Sequence, residues 1–140
     1  MLRKVSSSFF MLLLAALTTA TATVHAKEES ELPTTKLVTL APIQAPAGTT
    51  AEIVRKAVRK SLYINDWELR DVGPGHLEGK YIKGGKYTIA VDVKFDAKGA
   101  SIAYKHSTGL NYSSGGTIHK TYNDRITVLD RGIRAELDAF

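Results

Sequence analysis

Seven polar residues in the last third of the chain, His106, Ser107, Asn111, Tyr112, His119, Tyr122 and Asn123, hold most of its capacity for chemistry. A serine beside an imidazole is the raw material of a nucleophile and its base, and histidines with nearby acids can hold a metal. Neither pattern is complete here. No Gly-x-Ser-x-Gly elbow surrounds Ser107, and no two histidines stand at the His-x-x-x-His spacing of helical zinc ligands. Carboxylates for glycoside cleavage would come from Glu68, Asp71, Glu78 or Asp92, and strand alternation puts Glu68 and Asp71 on opposite faces. Gly84-Gly85 and Gly115-Gly116 lack the Gly-x-x-x-x-Gly-Lys context of a phosphate loop and read as turns. The seven residues therefore define a candidate small-ligand or anion site. They point to no catalytic centre, no metal and no cofactor, and each has a structural alternative: His106 inside the core, His119 against a loop carbonyl, Asn111 and Tyr112 pinning a loop.

A second constellation is electrostatic. Arg55, Lys56, Arg59 and Lys60 lie on the outer face of an amphipathic helix, where like charges four apart repel by a few tenths of a kcal/mol per pair. Such a face is either simply solvated or a candidate docking patch for an anionic surface.

The elements that must position these residues follow from periodicity. Thr49 with Glu52 forms a capping box, and Ile53, Val54, Ala57, Val58, Ser61 and Leu62 recur at helical spacing, predicting a helix over about 50–63. Four strands are expected next: Trp67 to Val72, His76 to Ile82, Tyr87 to Phe95, and Ala100 to His106. They are separated by Gly73-Pro74-Gly75, Gly84-Gly85 and Asp96-Ala97-Lys98-Gly99. In the third, Tyr87, Ile89, Val91, Val93 and Phe95 alternate with polar residues, so one face is buried. In the fourth, Ile102, Tyr104 and His106 should point inward. After a polar loop, Thr117 is placed to cap a last helix whose Tyr122, Ile126, Leu129, Ile133 and Leu137 form one apolar stripe; Gly132 within it implies close helix contact or fraying. The predicted fold is α+β, a two-layer sandwich in the order α-β-β-β-β-α: a four-stranded antiparallel meander with two helices on one face.

Residues 1–26 read as a secretory leader. Arg3 and Lys4 precede an apolar run of nine, Phe9 to Leu17, and Val24-His25-Ala26 is a small-x-small cleavage signal. The run is too short to span a bilayer, which takes about 20 apolar residues, so no transmembrane segment is expected after cleavage. Without a cysteine there is neither lipid attachment nor a disulfide. Residues 27–48, acidic and then marked by Pro33, Pro42 and Pro46, read as a flexible linker, with a short edge strand over Lys36 to Leu40 as the less favoured alternative, leaving 49–140 as one domain. The formal charge of +5 falls to +3 without the leader's two cations. That mild excess, with export, argues against nucleic acid and suits anionic envelope polymers or lipid headgroups.

The spacing from Trp67 through Gly73-Pro74-Gly75-His76, then Ser-x-x-Leu-Asn-Tyr at 107–112 and Ile-His-x-x-Tyr-Asn at 118–123, is similar to a family of small exported proteins and lipoproteins of Gram-negative bacteria. The resemblance spans roughly residues 50–137 and implies an envelope location with no assigned chemistry. The chain departs from that pattern in lacking the lipid-attachment cysteine and in carrying Asp124-Arg125 where an aromatic usually follows Tyr-Asn. The resulting expectation is a periplasmic or secreted, non-enzymatic module that binds an envelope protein or polymer. A free sheet edge offers strand addition to a partner or to a second copy as a homo-oligomer, with Lys86 and Lys94 as guards against it.

Overall fold

Residues 33–140 are described by a computed structural model of the chain; the expected leader and the acidic opening at 27–31 lie outside them. Within them the order is β1 Thr34–Lys36, β2 Ile43–Gln44, α1 Ala51–Ile64, β3 Glu68–Gly73, β4 His76–Lys83, β5 Tyr87–Asp96, β6 Gly99–Thr108, β7 Thr117–His119 and α2 Lys120–Asp138. The fold is α+β. Strands β3 to β6 form the antiparallel meander, and both helices cover one face of it.

The sheet is larger than the four strands expected. β2 pairs antiparallel with the start of β6, through Ile43 with Ala100 and Gln44 with Gly99. The strand order becomes β2-β6-β5-β4-β3, and β1 with β7 forms a separate two-stranded antiparallel ribbon. Residues 33–48 are therefore part of the fold rather than a linker, with Ile43 only 2% exposed and Leu37, Val38 and Leu40 packed against the core. Their prolines did not preclude this, because Pro33 and Pro42 stand just before the strands and Pro46 after them, where no ladder hydrogen bond is lost.

Helix α1 starts one residue later than the capping-box reading. Thr50 Oγ1 accepts from the Ile53 amide at 3.2 Å, while Thr49 Oγ1 donates to the Pro46 carbonyl at 2.6 Å. Thr117 sits in β7, and His119 is the N-cap of α2. The apolar stripes are as the periodicity implies: Val54, Ala57, Val58 and Leu62 of α1 and Tyr122, Ile126, Leu129, Ile133 and Leu137 of α2 are buried against Leu77, Ile89, Val91 and Val93. Removing these large side chains from water is the main favourable term for a domain without a disulfide. The two helices meet where Gly132 faces Ser61 and Asn65.

One correction changes the candidate site. Ile102 and Tyr104 pair with the inward Val93 and Val91, but a bulge at Lys105 breaks the register, so His106 pairs with Ala90 and Ser107 with Ile89. An extra residue inverts the alternation beyond it. His106 thus lies exposed on the uncovered face of the sheet, and Ser107 takes the inward position.

Candidate functional site

Six of the seven residues at the β6–α2 junction have structural tasks, and His106 stands apart, exposed on the uncovered sheet face. Tyr104 stacks on Tyr112 at 4.4 Å between ring centres and meets Tyr122 edge-on at 5.4 Å, and its hydroxyl lies 3.0 Å from Ser107 Oγ. Burial pushes the Tyr122 phenol well above its ordinary pKa, with Tyr104 and Tyr112 adding to the effect. It is a packed hydroxyl, not an acid ready to ionise. Asn111 carries the chain through a left-handed turn at φ 50°, a conformation asparagine tolerates. His119 Nδ1 accepts from the Thr121 amide at 3.2 Å, which leaves the proton of a neutral ring on Nε2. Asn123 binds the chain leaving β1 at two points: Nδ2 donates to the Lys36 carbonyl and Oδ1 accepts from the Val38 amide, each at 2.9 Å. Among the described residues Ser107 Oγ has the Tyr104 hydroxyl and no imidazole as its partner, His106 being on the opposite sheet face and His119 Nδ1 engaged at the helix cap.

The basic set is brought together better, with one exception. Lys56, Arg59, Lys60 and Tyr63 fall at i, i+3, i+4 and i+7 of α1 and so form one stripe. This stripe borders an open groove of about 610 Å³ completed by Trp67, Leu69, Glu136 and Phe140. Arg55 faces elsewhere, bonding Asp71 on β3 with Glu52 3.8 Å away. Lys60 pairs with Glu136 at 2.8 Å, whereas Lys56 and Arg59 have no carboxylate partner among the described residues. The groove walls are partly apolar and open to solvent: Tyr63 is 81% exposed and Phe140 65%.

Two clusters escaped the sequence reading. On the uncovered sheet face, Glu78 receives Arg70 at 2.7 Å and the ammonium of Lys105, and His76 Nε2 lies 2.7 Å from Asp92 Oδ1. Lys105 and Arg70 hold the Glu78 carboxyl below the usual carboxylate range. A general acid for glycoside cleavage needs the opposite shift, so Glu78 is held as the anion of an ionic network and not as a proton donor. Pairing partners on different strands carry no local signal that could have linked them. Beneath α2, Trp67, Tyr81 and Tyr87 form an aromatic ladder with ring centres 5.6 and 6.0 Å apart. Arg125 lies 4.3 Å over the Tyr81 ring and donates from Nε to the Tyr87 hydroxyl at 3.3 Å.

The sheet edges are not open templates. β6 is kinked by the bulge at Lys105, and the register of β3 is broken between Asp71 and Gly73, with Glu68 and Arg70 charged along it. Both devices blunt edge pairing. Lys94, expected as a guard, is on the central strand β5, and Lys86 is in the β4–β5 turn.

Among the described residues no group of three His, Asp or Glu side chains is placed to hold a metal, and no helix is long and apolar enough to cross a membrane. No known protein family, curated protein or solved structure matches the chain.

Proposed function

We propose that this protein is an exported, non-enzymatic binding module of the cell envelope, and that it engages an anionic envelope component at the groove beside α1. The observation that carries this reading is the stripe of Lys56, Arg59 and Lys60 along an open groove, in which Lys56 and Arg59 have no counter-charge among the described residues. Unneutralised cations beside low-dielectric walls attract anions more strongly than the same charges on a flat wet face. The exported location rests on the leader at 1–26 and on the resemblance to small envelope proteins. Strand addition at a sheet edge becomes the weaker mechanism, because β3 is irregular and charged, and the outer side of β6 is covered at its start by the two-residue β2 and interrupted by the bulge at Lys105. The alternative site at the β6–α2 junction is likewise disfavoured, since its residues are spent on caps, packing and the hold on β1.

The test is an amide chemical-shift map of the full chain titrated with polyphosphate and, separately, with soluble peptidoglycan fragments. Shifts centred on Lys56, Arg59, Lys60 and Tyr63 that vanish in the Lys56→Gln, Arg59→Gln double variant support the reading. Shifts confined to residues 106–123, or to the outer edge of β6, would transfer the function to those surfaces.

A further inference from the structure

Resting on that reading, we infer that the anionic component is an acylated amphiphile at a membrane surface, its headgroup on Lys56 and Arg59 and its acyl chain along Trp67 and Leu69. The groove is two-sided in chemistry. One wall is cationic, and the rest is Tyr63, Trp67, Leu69 and Phe140, with Ile64 next to Tyr63 also 55% exposed. Two aromatic rings of the groove, Tyr63 and Phe140, are left in water while Trp67 forms its mostly buried floor, and exposed apolar surface of this kind marks an interaction site. A soluble polyanion would satisfy the cations and leave Tyr63 and Phe140 wet. An apolar peptide would cover the rings and bury the two unpartnered charges uncompensated, which is costly. An anionic lipid satisfies both halves at once, and its geometry matches: basic side chains at headgroup level beside aromatic rings that favour the interface between water and hydrocarbon. Lys60, already neutralised by Glu136, would form the rim rather than the anion contact.

The full chain is mixed with vesicles of phosphatidylglycerol and phosphatidylcholine whose acyl chains carry bromine, and the chain's single tryptophan, Trp67, reports contact with the tails. Quenching of Trp67 by the anionic vesicles, and not by brominated phosphatidylcholine alone, is expected. Lys56→Gln with Arg59→Gln should weaken the apparent affinity roughly 25-fold, at about fivefold per cation near an anionic surface. Lys94→Gln, which removes one charge from the opposite sheet face, should leave it nearly unchanged. The leader is present in every variant, so differences between variants, not the absolute affinity, report the groove. Tyr63→Ser separates the two halves: quenching should fall while the polyphosphate shifts at Lys56 and Arg59 persist. Polyphosphate shifts at the groove with Trp67 unquenched, or quenching indifferent to the double substitution, would overturn the amphiphile and leave anion binding standing. Loss of both signals would overturn both readings.

Discussion

Glu78 on β4 stands directly opposite Asp92 on β5, two carboxylates paired across the ladder on the uncovered face of the sheet. Like charges in that relation destabilise a sheet unless a cation intervenes. Lys105 supplies it, bonding Glu78 and lying 4.0 Å from Asp92.

The Glu78 carboxyl is held low chiefly by Lys105 and next by Arg70. A depressed folded pKa contributes stability above the ordinary carboxylate value of about 4.3 and loses it as the pH falls towards the folded value. Lys105→Met keeps most of the aliphatic stem and should cost about 0.2–1 kcal/mol at neutral pH, the range for solvent-screened pairs. Melting curves of wild type and variant should converge as the pH is lowered through the carboxylate range. A gap that stays constant into acid would mean that Lys105 acts through packing alone.

Asn123 replaces a strand partner for the chain around Lys36 and Val38, with one acceptor and one donor in the spacing of a backbone. Asn123→Ala removes both hydrogen bonds from a half-exposed segment where water can take over, and should cost about 0.5–1.5 kcal/mol. Hydrogen exchange checks it: amides of residues 34–44 should lose protection while those of β4 and β5 keep theirs. Uniform loss over the whole sheet would show that the N-terminal segment is not a separable unit.

Two glycines make opposite predictions. A Cβ on Gly79 would come within 2.7 Å of Leu62 Cδ2 and 3.3 Å of Trp67, both in the buried core, so Gly79→Ala should destabilise by about 1–3 kcal/mol through overpacking. At Gly132 the nearest atoms are Asn65 Nδ2 at 3.4 Å and Ser61 Oγ at 3.5 Å, close to ordinary contact. Gly132→Ala should therefore realise most of a helix-propensity gain of about 1 kcal/mol. Thermal melts in opposite directions confirm the pair; a loss at Gly132 would mean that the helix crossing does not relax.

By itself the sequence determined the local elements: the stripe from Tyr122 to Leu137, the alternation from Tyr87 to Phe95, the hairpins of the meander and the basic face of α1. Each is written in contiguous residues at a period of 3.6 or 2, and the two-layer α+β arrangement follows from pairing those apolar faces. What only the tertiary structure decided depends on residues far apart in the chain. Ile43 finds Ala100 and Asn123 finds Val38 across more than fifty residues. No period in 33–48 announced either contact, so two short strands read as a linker. The bulge at Lys105 moved His106 to the open face because register is a property of two strands, not one. The candidate site divided for the same reason: Lys56, Arg59 and Lys60 were legible as a stripe, but that Tyr63, Trp67 and Phe140 make it a groove emerges only when β3 and the end of α2 close around α1.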